Sequence, residues 1–390
     1  MNNLTLNLPT VDGQLSPYTL SGSGSTRNNL PGPFNRIALS AAHVVADPQS
    51  QTSPDRSCVI DWPTTISYRR HILDLGLGIA EAMDTAQRGM GLDWPNALEL
   101  IRQSLTAASP EERTRIYSGV GTDHLDPADA QSVDDVIRAY MEQLEAVQGL
   151  GSRVIIMASR ALARVARSAE DYRQVYARVL GACDNPAILH WLGPMFDPAL
   201  QGYWGDDAFD RAMDTTLSSI DDNVSQVEGI KVSLLDDDKE ILMRRKLPSS
   251  VKMYTGDDFN YPSLIKGDEQ GFSHALLGIF DAIAPVAANA LSALGRGDEE
   301  TYDRLLAPTV PLSRLIFQAP TQHYKTGVVF LAWLNGFQDH FVMIGGSQSM
   351  RPLSYFTDLL KLADTANLLR DPALAASRMR EFMALYGIRD

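Results

Sequence analysis

Cysteine is almost missing: Cys58 and Cys183 are the only two in 390 residues. They lie far apart and outside any CxxC spacing, which excludes a disulfide framework or a cysteine zinc site and fits a reducing compartment. Long apolar runs are missing too. Stretches such as residues 327–334 fall well short of the ~20 residues that a membrane-spanning helix needs. Positive charge is in short supply, with 34 Lys and Arg against 48 Asp and Glu and a net charge of -14. The one basic cluster, Arg244-Arg245-Lys246, follows Asp236-Asp237-Asp238 and reads as a solvated helix face. Nucleic acid is therefore excluded as a partner. Residues 1–9 carry neither the basic nor the apolar region of a secretory signal. A cytoplasmic location and no membrane partner are expected.

What remains is ordinary for a folded chain, 44% hydrophobic and 21% charged. Residues 1–34 stand apart as an N-terminal extension. Leu4, Leu6 and Leu8 alternate with polar residues and Asp12-Gly13 is a turn signal, so a hairpin is expected, followed by a flexible Gly/Ser link. The hairpin either plugs the bottom of a barrel or is loosely held. Short apolar runs follow at 36–41, 78–83, 114–119, 153–157, 187–191, 226–232, 251–255 and 271–276. They read as strands buried on both faces. Amphipathic helical patterns lie between them at 61–75 and 94–107 and are clearest at 134–147 and 169–182, with Ser132 and Ser168 at N-caps. No Gly-x-Gly-x-x-Gly follows the first strand, which argues against a Rossmann sheet. The expected fold is α/β, a (β/α)8 TIM barrel over 35–278. Residues 279–390 add the eighth barrel helix and a helical annex, through 278–294, 298–306, 324–335 and 353–386. The annex covers the barrel mouth or builds an oligomer interface.

Catalytic groups of such a barrel belong at the C-terminal ends of its strands, where side chains and loops converge. By this reading strand one delivers His43, strand two Asp84 and Thr85, strand three Gly121 to His124, and strand four Ser159 and Arg160. Strand five delivers His190, strand six Lys231 and Ser233, strand seven Gly256 and Asp258, and strand eight Ser273 and His274. Lys231 is the sharpest feature. It is the first lysine in the chain, in the compact strand Val227-Glu228-Gly229-Ile230-Lys231-Val232-Ser233. A buried ammonium loses solvation, its pKa falls, and neutral amine becomes available to attack a carbonyl. The alternative is a lysine that reaches water or pairs with an acid.

The segment ending in Lys231-Val232-Ser233, then Tyr254-Thr255-Gly256-Asp257-Asp258, then the glycine-led run from Gly267 to Ser273, resembles the dihydrodipicolinate synthase / N-acetylneuraminate lyase superfamily. Ile116-Tyr117-Ser118-Gly119-Val120, Pro186-Ala187-Ile188-Leu189-His190 and Met350-Arg351-Pro352-Leu353 are similar to its third strand, its fifth strand and its C-terminal R-P-P-L. The resemblance implies a Schiff-base lyase, aldolase or dehydratase with the imine at Lys231, a small carbonyl substrate, no cofactor, and a homo-dimer or homo-tetramer. Gly256 and Ser273 would line the imine pocket through backbone groups.

The departures shape the substrate. His190 stands where the family has its proton-relaying tyrosine, and a histidine titrates near neutrality; the alternative is a structural core histidine. Asp84-Thr85 replaces the motif that holds a 2-oxo acid carboxylate, keeping only the threonine, and Met195 stands where one branch has an arginine. Asp84 would repel a carboxylate. A sugar-derived ketone offering hydroxyls to Asp84, Asp258, His43 and His274 is easier to accommodate, with Thr85 and Ser159 as further contacts. Two other readings stay open. One is a divalent-metal lyase or isomerase using His43, Asp84, Asp123, His190 and His274, although no metal-binding spacing supports it. The other is a binding barrel that has lost catalysis.

Overall fold

The computed structural model describes residues 4–10, 12–22, 24, 32–50 and 58–389. The expected N-terminal hairpin is present: β1 (Thr5–Pro9) pairs antiparallel with β2 (Leu15–Thr19). Gly13 takes φ 78° in the turn, a conformation glycine adopts without a steric cost. The hairpin packs on the annex instead of plugging the barrel. Tyr18 donates to the Asp364 carboxylate at 2.9 Å, and the Ser21 backbone N–H and hydroxyl bond to the same group. Of the expected link at 21–25, residues 23 and 25 lie outside the described residues.

Eight parallel strands then close a barrel: β3 (Ala38–Ala41), β4 (Gly78–Glu81), β5 (Ile116–Val120), β6 (Arg153–Ile156), β7 (Ala187–Leu192), β8 (Val227–Ser233), β9 (Lys252–Thr255) and β10 (His274–Leu277). Consecutive strands are neighbours, and β10 closes on β3. All eight expected runs are strands, in order, because short β-branched apolar segments between helices have few other ways to bury both faces. Leu39, Ala80, Tyr117, Ile155, Ile188, Tyr254 and Leu276 fill the interior. Glycines make room for the large ones: a Cβ on Gly229 would lie 2.6 Å from the Tyr254 ring. Lower in the barrel, Glu228 accepts from Tyr117 at 3.1 Å and Tyr254 at 2.8 Å, and pairs with Arg153. That network keeps a buried carboxylate satisfied.

The eighth strand differs from the expected 271–276. Asp268 caps a tight turn by accepting from the Gln270 and Gly271 N–H groups, with Gly267 at φ 86°. The chain therefore enters the sheet only at His274. Annex boundaries differ as well. Pro285, lacking an N–H, splits 278–294 into Ile279–Ala282 and Ala284–Gly295. Asn367 at φ 53°, the Asp371 cap and Pro372 split 353–386 into Leu353–Thr365 and Pro372–Leu385. The annex helix Tyr324–Leu334 is buried along its whole length, as a helix apolar all round must be. Among the described residues no helix is long and apolar enough to cross a membrane.

One buried acid beside the barrel sets a stability prediction. Glu240, on the helix Asp237–Lys246, accepts from Ser273 at 2.6 Å through one oxygen, while the other oxygen has no partner. Burial pushes its carboxyl up to about 8. The folded state thus holds this proton more tightly than the unfolded chain. Stability falls as pH rises from about 4.5, the ordinary glutamate value, to about 8, and then levels off. Glu240→Gln keeps an acceptor for Ser273 and removes the titration. Denaturant melts should show it ~2–4 kcal/mol more stable than the parent at pH 8.5 and nearly equal at pH 4; an equal difference at both pH values would contradict this origin.

Candidate active site

Strands β7 and β8 pair in register, with His190 opposite Lys231. Side chains alternate along a strand, so His190 shares the interior side with Ile188, and Lys231 shares it with Gly229. Both are at most 7% exposed. Lys231 makes no hydrogen bond, and no ion pair within 4.0 Å, to any described residue. Burial lowers its pKa from the ordinary ammonium value, with Asp84 and Asp258 opposing. Asp258 accepts from the Ile279 N–H at 2.8 Å, and burial raises its carboxyl. Each shift moves its group toward the uncharged form. Its neighbour Asp257 instead ties down the loop, accepting from the Phe259 and Asn260 N–H groups.

Gly256 gives the lysine its path. A Cβ there would lie 2.7 Å from Lys231 Cε and 2.1 Å from Ser233 Oγ. Ser233 Oγ lies 3.3 Å from His190 Nε2. His190 Nδ1 has no hydrogen-bond partner and sits 4.0 Å from the Asp84 carboxylate. Burial holds the imidazole well below its ordinary pKa, and Lys231, whenever it is protonated, pushes it further down. It is a neutral ring able to accept or pass a proton.

Asp84 and Thr85 open a short 3-10 turn after β4. A buried pair fixes that turn from behind: Arg69, on the helix Trp62–Asp74, grips Glu81 through two bonds of 3.0 and 2.9 Å. Arg69 also bonds the carbonyls of Ala42 and His43, so one guanidinium ties the ends of β3 and β4 together. Ala82, between Glu81 and Asp84, takes φ 53°. This left-handed conformation is strained for alanine and persists because its surroundings over-determine it. The result is a carboxylate, Asp84, that accepts no hydrogen bond from a described side chain or backbone group, lies 4.0 Å from His190 Nδ1 and borders one cleft with Lys231.

Two cavities meet here. A narrow cleft of about 10 Å³ is bordered by Lys231, Ser233, Asp84, Thr85, Asp258 and Tyr324. It has room for about one water. A larger cavity of about 210 Å³ opens to solvent, with Asp84, His190, Thr122, Arg88, Arg160 and Asp197 on its walls. An apolar cavity of ~150 Å³ holds benzene, so this one takes a chain of several carbons. Asp84 and Leu192 border both.

Other expected site residues are not brought together with these. His274 stands at the entry of β10, at the opposite end of the barrel, where its Nδ1 accepts from the Ile37 N–H at 3.0 Å. Ser273 lies beyond it, bonded to Glu240. The Asp268 turn explains both displacements; Gly278, at the other end of β10, borders the cleft where Ser273 was expected. His43 turns its Nδ1 to Asp281 at 2.8 Å and borders neither cavity. Ser159 caps the helix Arg160–Val165 and bonds Thr122 at 2.6 Å. Asp123 does line the larger cavity with Asp84 and His190, but its carboxylate is engaged by Arg88 and Gln143. Of the five candidate metal ligands, Asp84, Asp123 and His190 line one cavity while His43 and His274 lie elsewhere, and among the described residues no group of three or more His, Cys, Asp or Glu is placed to hold a metal ion. Sequence reasoning missed Arg69, Glu81, Gly278 and Tyr324, none of which carries a local signal.

Solved structures that this chain resembles include dihydrodipicolinate synthases. That of Oceanobacillus iheyensis superposes with a TM-score of 0.61 at 16% identity, covering 84% of this chain and 96% of its own. That of Aquifex aeolicus gives 0.64 at 12%, covering 86% and 99%. The chloride-inhibited enzyme of Acinetobacter baumannii, complexed with pyruvate, gives 0.60 at 18%, covering 85% and 99%. At such identities the likeness establishes the fold, in agreement with the resemblance read from the sequence. No curated protein matches the chain. The chain belongs to the DUF993 family, proteins of unknown function, whose model it matches over residues 6–388.

Proposed function

We propose that this protein is a Schiff-base-forming lyase or aldolase of the class I type, acting on a small carbonyl substrate through an imine at Lys231. One observation carries the reading: a buried lysine, free of hydrogen bonds and ion pairs to the described residues, borders a cleft at the mouth of a (β/α)8 barrel. Its amine is held with little solvation, which favours the nucleophilic neutral form. The amine nitrogen attacks the carbonyl carbon, the oxygen leaves as water, and the iminium draws electrons from the adjacent bond. In a cleavage a carbon–carbon bond breaks, its electrons pass to the iminium to give an enamine, and a base takes the hydroxyl proton of the departing group, which leaves as a carbonyl. In a dehydration the base takes the α-proton, and the enamine so formed expels a β-hydroxyl that takes that proton and leaves as water. His190, with its unbonded Nδ1 on the cavity wall, is the proton relay for that step.

The substrate we favour is a sugar-derived ketone or a 2-oxo acid, with the former preferred. Asp84, unbonded and at the junction of the two cavities, would repel a carboxylate placed there but accepts a hydroxyl proton readily. Thr85 and Asp258 line the carbonyl end, and the larger cavity holds the rest of the chain. The cleft as it stands is too small for a ketone, so binding has to shift Leu192 or Phe196, both on its border. Sodium borohydride added with candidate keto sugars and keto acids should fix one substrate carbon skeleton to the protein, with peptide mass mapping placing it on Lys231. No adduct with any of them would remove the reading.

A further inference from the structure

The annex reaches into the cleft through one side chain. Tyr324 opens the helix Tyr324–Leu334, and its hydroxyl lies 2.7 Å from the Thr85 hydroxyl, a contact between residues 239 positions apart. Both residues border the cleft beside Lys231. The ring is clamped: it stacks on Phe317 at 4.4 Å and meets Phe196 edge-on at 6.1 Å. Gly278 leaves space for it, since a Cβ there would sit 3.1 Å from the Tyr324 ring. The carboxylates that act on the Lys231 amine, Asp84 and Asp258, also act on this phenol. Burial, and after it Asp84, keep the phenol protonated far above neutrality. Amine, phenol and two acids thus face one space the size of a water molecule.

We propose that Tyr324, supplied by the annex, is the proton relay for imine formation, with the Thr85 hydroxyl holding the phenol in place. This rests on the Schiff-base reading of Lys231. When the amine adds to the carbonyl, the C–N bond forms and the carbonyl oxygen takes the phenol proton. The phenolate recovers a proton from the new N–H. When the C–O bond breaks, the phenol proton goes to the departing hydroxyl, which leaves as water, and the neutral acid Asp258 restores the phenol, ending as carboxylate beside the iminium. Labour is divided: Tyr324 serves the carbonyl end in the cleft, while His190, on the wall of the larger cavity, serves the bond that breaks.

The test uses the full chain, hydroxyacetone as probe, and enough sodium cyanoborohydride that imine formation limits the rate. Intact mass follows the adduct over time. Tyr324→Phe should slow trapping at saturating probe by about 100-fold, with the half-saturating probe concentration and the melting midpoint close to the parent's. Trapping at the parental rate would overturn the proposal while leaving the Schiff-base reading intact. Should Tyr324→Phe not fold, Thr85→Val, which removes the partner hydroxyl, is expected to slow trapping at least fivefold, and an unchanged rate overturns the relay equally. Parent protein that forms no adduct would instead take down the imine itself, and the relay with it.

Discussion

Lys231→Met is expected to yield a protein more stable than the parent and silent toward ketones. Lys231 sits in a strand whose seven residues are all buried, and burial outweighs the opposing carboxylates of Asp84 and Asp258, so the parent carries a desolvation cost that methionine removes. A gain of ~1–2 kcal/mol in denaturant melts is expected. Turnover, once a substrate is in hand, should fall by ~10⁴-fold or more, because the nucleophile has no substitute. Lys231→Arg should be equally inactive, since guanidinium does not deprotonate usefully. Borohydride trapping and melting, run side by side on the same samples, check the pair of outcomes. A destabilised Lys231→Met protein would mean that the amine serves structure, as it would in a barrel that binds without catalysis.

A second buried lysine makes the choice of Lys231 a real one. Lys325 follows Tyr324, and burial pushes its pKa down to about 8. Yet its amine donates to the Gln322 carbonyl at 3.1 Å and lies 3.4 Å from Met90 Sδ, and it borders neither cavity. A depressed pKa without an approach path makes no nucleophile. Lys325 braces the loop after β4 from the annex side, much as Gln87 does by donating to the Ile344 carbonyl at 3.0 Å.

The contrast between these lysines shows what the sequence could reveal. The eight strands are legible because their signal is local: a few β-branched apolar residues bounded by turns. Lys231 is legible for the same reason, as a charge where local pattern demands none. The Asp268 turn hid the start of β10, and a shift of three residues carried Ser273 and His274 from the mouth to the floor. Arg69 reads as one more polar residue on an amphipathic helix; only its pairing with Glu81 inside the barrel wall makes it a buried anchor. Tyr324 reads as the start of an apolar helix, and its partner lies more than half the chain away. Contacts of that kind have no periodicity to betray them.

Gly256→Ala should disable the site almost as thoroughly as losing the lysine, by displacing it. The added methyl would meet Ser233 Oγ at 2.1 Å, Lys231 Cε at 2.7 Å and the Val232 carbonyl oxygen at 2.8 Å. The serine can rotate and the lysine chain can bend, but the carbonyl belongs to the sheet. The Gly256 N–H donates to that same carbonyl at 2.8 Å, so moving the backbone apart breaks the β8–β9 continuation. Overpacking of this kind costs ~1–3 kcal/mol, and a nucleophile moved by ~1 Å loses about 100-fold in rate. We therefore expect trapping at Lys231 to slow by ~100-fold or more in a protein that still folds. Adding Ser233→Ala to Gly256→Ala removes the nearest clash and should recover part of the stability, but little of the rate, because the lysine and carbonyl contacts remain. A Gly256→Ala protein that traps ketone at the parental rate would show that the amine reaches its substrate by a path other than the one Gly256 leaves open.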